Sequence, residues 1–199
     1  MTDGNRAAER RQLRQDLRTG RRALSAAERL AAADALANHL LALPFAPPSG
    51  YVAGYWAMDG EIALHAWQMR LPRECVYCLP VLCDDQLLRF APWRPGDSLV
   101  SNRHGIPEPD LSASALLEAA SLSLVIVPLV GFDEHGHRLG MGGGWYDRSF
   151  AFRRERSAPP YLVGAAFTLQ QMPPLAAEAW DVRLDAVCTE SRCFDFTSA

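Results

Sequence analysis

The alternation of apolar and polar residues along the chain predicts the order of its helices and strands. Residues 6–19 place a few apolar side chains among many arginines, which predicts a polar N-terminal helix. The sequence SAAE at Ser25–Glu28 is a capping box, in which the serine side chain accepts from a helix amide and the glutamate bonds back to the cap. It opens an alanine- and leucine-rich helix that we expect to end near Leu43, because Pro44 cannot continue it.

The strands are predicted by segments rich in apolar residues. The most continuous run, SLSLVIVPLV at 121–130, is typical of a central parallel strand buried on both faces. Further strands are predicted at 51–58, 75–82, 87–93, 161–167 and 184–190, and short helices at 63–71, 112–120 and 144–156. Strands that alternate with helices indicate an α/β fold, a mostly parallel sheet sandwiched by helices. We expect a single domain over residues 1–199, with the arginine-rich helix at its N-terminus.

Composition narrows the class of protein. The chain has 199 residues, of which 49% are hydrophobic and 22% charged, as in an ordinary globular domain. Its formal net charge of −3 argues against a nucleic-acid partner, and its apolar runs are too short to span a membrane. We therefore expect a soluble cytoplasmic protein, and separately we expect it to be a monomer. All 20 basic residues are arginines, which excludes a P-loop lysine and a Schiff-base lysine.

The five cysteines give a weak signal for metal binding. Cys75 and Cys78 have the spacing of half a zinc site, but they lie in a predicted strand. Residues three apart on a strand point to opposite faces, so the two thiols would diverge. We expect the cysteines to serve as small buried residues.

A glycine-rich segment, GHRLGMGGGWYDRSF at 136–150, carries the candidate chemistry. It follows the predicted central strand and leads into a helix, where ligands of open α/β sheets bind. Bare backbone amides can face an anion there, and Arg138 can supply a bidentate guanidinium for phosphate oxygens. Asp147 would repel phosphate groups unless a Mg²⁺ ion bridged its carboxylate and the phosphate oxygens. The alternative is a simple turn, with an aspartate that is favourable in a first helical turn without any ligand.

This segment also resembles a known family. Residues 127–150 meet every fixed position of P-x-x-x-F-D-x-x-G-x-R-L-G-x-G-x-G-x-Y-D, the signature of 5-formyltetrahydrofolate cyclo-ligases. The resemblance extends to an N-terminal R-x-x-L-R-x-x-L, to MDGEI, to GIPEP at 105–109 and to WDVRLDAVCTE at 180–190. It implies an α/β enzyme that uses ATP and Mg²⁺ to cyclise 5-formyltetrahydrofolate to 5,10-methenyltetrahydrofolate, with release of ADP and phosphate. Whether the substrate carries a polyglutamate tail stays open.

The resemblance assigns site residues in three groups. The ATP contacts would be Arg10, Arg14, Arg138, Leu139, Gly140, Met141, Gly142, Gly143, Gly144, Trp145 and Tyr146, with Arg138 and Tyr146 acting in catalysis. The metal ligands would be Asp147 and Asp185, and the folate contacts Trp56, Glu61 and His104. Gly143 stands where some relatives have lysine, and Trp145 where tyrosine or phenylalanine is more frequent.

Each of these residues also has an ordinary structural interpretation. Arg10, Arg14 and Arg18 share one helical face, which could be a solvated surface or a weak nucleic-acid patch. We expect nucleotide contact for the first two and solvation for Arg18, and by helical count we place Arg21 off this face. Trp56 could be ordinary core, Glu61 a helix N-terminal charge and His104 a surface-loop residue.

Two other classes of function compete with the ligase. A sugar-phosphate isomerase of related architecture would need neither ATP nor a metal between Asp147 and Asp185. An RNA-binding module built on residues 6–22 would need interleaved aromatic residues, which that segment lacks.

Overall fold

The computed structural model describes residues 3–197, with side chains from Ala7 onward, and in this range the chain forms four α-helices and eleven strands. The helices are α1 (Asp3–Ala23), α2 (Ala26–Leu41), α3 (His65–Gln68) and α4 (Trp145–Ser149). The strands are β1 (Gly50–Ala53), β2 (Cys75–Leu82), β3 (Leu88–Pro92), β4 (Leu99–Ser101), β5 (Pro107–Pro109), β6 (Leu124–Pro128), β7 (Gly131–Phe132), β8 (Arg138–Leu139), β9 (Tyr161–Ala165), β10 (Ala186–Cys188) and β11 (Cys193–Asp195).

Seven strands form the central sheet, in the order β11-β10-β9-β6-β1-β2-β3. Its five inner strands run parallel, and β3 and β11 close its edges in antiparallel orientation. In β6, residues 124–127 are buried, as expected of a strand covered on both faces. The predicted α/β fold with a mostly parallel sheet is thereby confirmed.

Apolar side chains cover both faces of the sheet. One cluster contains Leu36 and Leu40 of α2 with Trp67 of α3, and the other contains Phe132 and Phe150. The predicted capping box starts α2: Ser25 Oγ accepts from the Glu28 amide at 3.2 Å, and Glu28 Oε2 accepts from the Ser25 amide at 2.8 Å.

Three predicted elements differ from the structure. The prediction of a helix at 112–120 is wrong, because this segment forms two 3₁₀ turns, Ala113–Ala115 and Ala119–Ser121. The backbone between the two turns pairs with the edge of the sheet, where Leu117 and Phe90 exchange hydrogen bonds of 2.7 and 2.9 Å. The backbone amide and carbonyl of Leu117 are therefore not available for hydrogen bonds within a helix. The helix predicted from 144 to 156 ends at Ser149, and the first strand ends at Ala53 rather than at residue 58.

The cysteines also differ in part from expectation. Cys188 and Cys193 form a disulfide that joins β10 to β11, whereas Cys75, Cys78 and Cys83 are free thiols. Among the side chains that the structure describes, from Ala7 onward, no group of three His, Cys, Asp or Glu is arranged to hold a metal. Of the free thiols, Cys78 fits the expectation of a small buried residue best, since it is fully buried.

Helix α1 packs next to Gly131 of β7, close to the end of β6. A Cβ on Gly131 would lie 2.7 Å from Leu17 Cδ1 and 2.6 Å from Met172 Sδ, so a larger residue would require these two side chains to shift. This packing brings the arginines of α1 to the carboxyl ends of the central strands. None of the helices in the described range is long and apolar enough to cross a membrane.

Candidate active site

A cavity of about 450 Å³ lies beyond the carboxyl ends of β1 and β6. Its wall is built from α1, the segment that follows β1, the β4–β5 loop, the glycine-rich segment and a segment before β10. The predicted site residues in this wall are Arg10, Arg14, Trp56, Glu61, His104, Arg138, Leu139, Gly140, Met141, Gly142, Gly143, Gly144, Trp145, Tyr146 and Asp147. The structure thus brings together every predicted residue except Asp185.

The glycine-rich loop between β8 and α4 depends on glycine for its conformation. Gly142 and Gly144 have φ values of +98° and +65°, a left-handed region that other residues adopt at a cost. Within the described residues, the amides of Gly140–Gly144 donate no hydrogen bond to the protein. These amides are therefore available to a ligand.

Arg14 links the loop to the N-terminal helix. Its Nε donates a 2.8 Å hydrogen bond to the carbonyl oxygen of Gly140. Burial lowers the pKa of Arg14, and the nearby charge of Arg10 lowers it further. Arg10 itself contacts the Ala176 carbonyl at 3.2 Å and lies 3.6 Å from Glu178.

Arg138 has a different arrangement from the predicted bidentate phosphate contact. One Nη donates to Asp147 Oδ1 and the other to the carbonyl oxygen of Val182, and the side chain is 7% exposed. Asp147 Oδ1 also accepts from the Val182 amide at 3.1 Å. In the described part of the chain nothing donates to Asp147 Oδ2. Arg138 therefore orients the aspartate, and one carboxylate oxygen remains open.

Asp185, the second predicted metal ligand, does not line the cavity. Its two carboxylate oxygens accept from Arg153 Nη2 at 2.7 and 3.0 Å, and Oδ2 also accepts from the Leu162 amide at 2.7 Å. Both oxygens are thus engaged in joining β9 to the segment after α4. The geometry gives Asp185 a structural role.

The arginines of α1 extend further along the cavity than predicted. Arg21 is fully buried and lines the cavity, because it lies seven residues after Arg14 and so returns to the same helical face. The helical count that placed it off this face was wrong. Arg18 is not simply solvated either, since its Nε donates to Asp59 Oδ2 at 2.7 Å.

The predicted folate residues line the same cavity. Glu61 Oε2 accepts from the Met58 amide at 3.0 Å, and burial raises the pKa of this carboxyl. Trp56 packs edge-on against Trp93, with ring centroids 5.8 Å apart. His104 is exposed in the β4–β5 loop, so its side chain borders the cavity without being buried.

Tyr146, two residues after the loop, also lines the cavity. Its ring stacks on Phe150 at a centroid distance of 6.2 Å, and its hydroxyl makes no hydrogen bond to any described residue. Burial raises the pKa of this phenol and the charge of Glu61 raises it further, so the two groups face one space. The neighbouring Trp145 lies between two guanidinium groups, those of Arg103 at 5.1 Å and Arg148 at 5.3 Å.

The sequence of the chain matches a known protein family. The model of the 5-formyltetrahydrofolate cyclo-ligase family matches residues 6–190. The chain belongs to this family. It is 36% identical over 179 residues to the 5-formyltetrahydrofolate cyclo-ligase of Haemophilus influenzae, covering 88% of this chain and 94% of that one. It is 35% identical over 184 residues to the enzyme of that name from Escherichia coli K12, covering 90% and 100%.

A solved structure agrees with the sequence relatives. The 5,10-methenyltetrahydrofolate synthetase of Aquifex aeolicus superposes with a TM-score of 0.78 at 27% identity, covering 94% of this chain and 92% of that one. The chain is therefore an enzyme of the cyclo-ligase family, and the resemblance inferred from its signature is confirmed.

Sequence reasoning missed three charged residues of this cyclo-ligase cavity, Arg21, Asp59 and Asp181. Arg21 was identifiable from its spacing to Arg14, had the helical count been correct. Asp59 stands in MDGEI beside Glu61, and Asp181 stands four residues before Asp185. Nothing in the sequence distinguishes the aspartate that lines the cavity from the one that pairs with Arg153.

Proposed function

We propose that the enzyme converts 5-formyltetrahydrofolate to 5,10-methenyltetrahydrofolate with cleavage of ATP to ADP and phosphate. The observation that carries this proposal is that the glycine-rich loop and Glu61 line one cavity, with Tyr146 at the end of the loop close enough to Glu61 for that charge to raise the pKa of its phenol. A phosphate-binding loop and a carboxylate acceptor for a pterin are what such a reaction requires at close range.

The chemistry explains why two sites must meet. A formyl group on nitrogen is a poor electrophile, and its oxygen is a poor leaving group. Transfer of the γ-phosphoryl group to that oxygen corrects both faults: N10 then attacks the formyl carbon, the ring closes, and phosphate leaves with the former formyl oxygen. Catalysis of this kind depends mainly on positioning and on stabilising negative charge.

The nucleotide would bind at the loop. The free amides of Gly140–Gly144 can donate to phosphate oxygens, as in other backbone anion sites. Arg10 and Arg14 provide positive charge from α1, and the Arg14–Gly140 hydrogen bond holds the loop against that helix. Tyr146 keeps its proton because burial raises the pKa of its phenol, so it can donate a hydrogen bond to an oxygen that gains charge.

The donor set fits Mg²⁺ bound together with a nucleotide. Magnesium commonly takes one or two protein carboxylates and completes its shell with water and substrate phosphates, so a cage of three side chains is unnecessary. Asp147 would hold the ion through Oδ2, while Arg138 fixes Oδ1. Asp181 is a further carboxylate of the same cavity wall, whereas the contacts of Asp185 argue against it as a ligand. The bound ion would neutralise phosphate charge.

The folate would bind beside Glu61. A pterin presents a row of N–H donors, and an ionised carboxylate is acceptor-only, so Glu61 suits that edge. Trp56 offers an apolar wall held by Trp93, and His104 borders the entrance. Three further properties stay predictions. They are the location of the enzyme in the cytoplasm, its action as a monomer, and its use of a substrate with or without a polyglutamate tail.

Absorbance provides the test, because the methenyl product absorbs in the near ultraviolet and the formyl substrate does not. We expect product only when 5-formyltetrahydrofolate, ATP and Mg²⁺ are all present. Product at the same rate without ATP would contradict the proposal, as would no product in the complete mixture. Binding of sugar phosphates, with no turnover of 5-formyltetrahydrofolate, would favour the isomerase alternative.

A further inference from the structure

Arg21 ties two neighbouring strands of the sheet to the N-terminal helix. Its Nε donates to the Asp59 carbonyl oxygen at 2.9 Å, and its Nη2 donates to Asp59 Oδ2 at 2.8 Å. Its Nη1 donates to the carbonyl oxygen of Leu129 at 3.2 Å. Asp59 lies in the segment after β1, and Leu129 directly follows β6. One buried side chain therefore sets the distance between two walls of the cavity.

The segment that Arg21 holds is a strained turn. Asp59 has φ +54°, a left-handed conformation that residues with a side chain rarely adopt, and Gly60 follows with φ +76°. The turn closes through hydrogen bonds from the Glu61 amide to the Met58 carbonyl at 2.9 Å and from the Met58 amide to Glu61 Oε2 at 3.0 Å. Such a conformation persists only when surrounding contacts impose it. The position of the Glu61 carboxylate thus depends on what anchors Asp59.

Three arginines anchor Asp59, and they differ in what else they reach. Arg18 and Arg22 pair with its carboxylate near the surface, with side chains 32% and 54% exposed. Arg21, with 1% exposed, also reaches Leu129, and its Nη2 lies 3.8 Å from Glu61 Oε1. It is the one member of this trio that contacts both Asp59 and Glu61.

Arg21 also controls the charge that surrounds Glu61. Burial raises the pKa of Glu61, whereas Arg21 and Arg18 lower it and Asp59 raises it. The phenols of Tyr55 and Tyr146 face the same carboxylate, and both have pKa values raised by burial. Because Arg21 is shielded from water, its attraction for Glu61 is screened less than that of Arg18.

We propose that Arg21 is a positioning residue for Glu61, which clamps the Met58–Glu61 turn against the end of β6 and keeps the carboxylate available as an acceptor for the pterin. The inference rests on the proposed function. Arg21 is buried and each of its three nitrogen atoms donates to the protein, so we place it behind Glu61, where it acts through that carboxylate.

Calorimetric binding of 5-formyltetrahydrofolate and of ATP, measured separately across pH 5 to 9 on the full chain, tests the proposal. The variants are Arg21→Gln, Arg21→Lys and Glu61→Gln, with Arg22→Gln as matched control because it loses a bond to the same carboxylate. In Arg21→Gln we expect folate binding to weaken about tenfold or more, with ATP binding unchanged. Folate affinity should fall at acid pH as Glu61 gains a proton, and we call this part of the pH profile the acid limb. In Arg21→Gln the midpoint of the acid limb should move upward by about one pH unit.

The other variants separate positioning from a general structural role. Arg21→Lys should keep the acid limb near its wild-type position and still weaken folate binding, because an ammonium cannot reproduce the fork of three bonds. Glu61→Gln should abolish the acid limb, and adding Arg21→Gln to it should cost much less than Arg21→Gln costs alone. Arg22→Gln should weaken folate binding much less than Arg21→Gln does, because Arg18 and Arg21 still hold Asp59 and the exposed Arg22 does not reach Leu129.

Two results would overturn the proposal. One is a wild-type acid limb and folate affinity in Arg21→Gln; the other is full additivity of Arg21→Gln with Glu61→Gln. Should Arg21→Gln fail to fold, Arg21→Lys decides, since wild-type folate affinity in that variant contradicts a positioning role. Failure of wild type to bind 5-formyltetrahydrofolate would instead contradict the proposed function, so the two failures are distinguishable.

Discussion

The guanidinium of Arg14 donates a 2.8 Å hydrogen bond to the carbonyl oxygen of Gly140, joining residues 126 positions apart. This bond connects the N-terminal helix to the loop whose amides are free. It makes the helix part of the proposed nucleotide site, because displacement of α1 would release both the loop and the positive charge beside it.

Loss of Arg14 should therefore affect the nucleotide more than the folate. We expect Arg14→Ala to raise the KM for ATP by roughly tenfold to a hundredfold, since a charged hydrogen bond contributes about 1.5–3 kcal/mol. Arg11→Ala is the matched control, because Arg11 is exposed on the same helix and does not line the cavity. Steady-state kinetics with each substrate varied in turn would show the difference. Equal effects of the two substitutions would reduce the arginines to a generic charged surface.

Substitutions of the two aspartates predicted as metal ligands should differ in their effect on the magnesium requirement of the enzyme. Asp147→Asn should raise the Mg²⁺ concentration needed for half-maximal rate, and it should also lower stability, because the mostly buried Arg138 loses its charged partner. Asp185→Asn should lower stability by about 3 kcal/mol for the same reason at Arg153, and it should leave the magnesium requirement at the wild-type value. Magnesium titration of the rate, beside a thermal melt of each variant, measures both effects. An Asp185→Asn variant with a wild-type melt and a raised magnesium requirement would restore it as a ligand.

Substitution of Glu61 tests the folate side. Glu61→Gln keeps the volume but places an NH₂ group where the pterin also donates, which leaves donors unpaired at about 1–3 kcal/mol each. We expect folate affinity to fall while ATP binding by calorimetry stays near wild type. If Glu61 served only as a helix N-terminal charge, the substitution would change stability by at most about 1 kcal/mol and leave folate binding unaltered.

Acid stability should depend on Asp59. Burial alone would raise the pKa of this carboxyl, but hydrogen bonds from Arg18, Arg22 and Arg21 outweigh it and lower the pKa from 3.8 to about 2. A lowered pKa in the folded state stabilises the protein above the unfolded value, and this contribution is lost as pH falls from about 4 to about 2. Melting curves of wild type and Asp59→Asn should therefore differ most near neutral pH and converge near pH 2. A difference that stays constant over this range would contradict the ion-pair assignment.

Features set by local pattern were the ones that the sequence predicted well. The apolar run of β6 and the capping box of α2 each carry their own signal, and the glycine-rich loop is recognisable from its spacing. The turns at 112–120 were missed because Leu117 pairs with Phe90, a residue far away in sequence. The same limit applies to the site, since Arg153 engages Asp185 across 32 positions and no local pattern reveals such a partner.

The fate of the formyl oxygen tests the central claim most directly. In a single turnover with 5-formyltetrahydrofolate carrying ¹⁸O in its formyl group, with ATP and Mg²⁺, mass spectrometry of the released phosphate follows that atom. Phosphorylation of the formyl oxygen predicts one ¹⁸O in the phosphate for each methenyltetrahydrofolate formed. Unlabelled phosphate, with the ¹⁸O recovered in water, would contradict phosphoryl transfer to the formyl group.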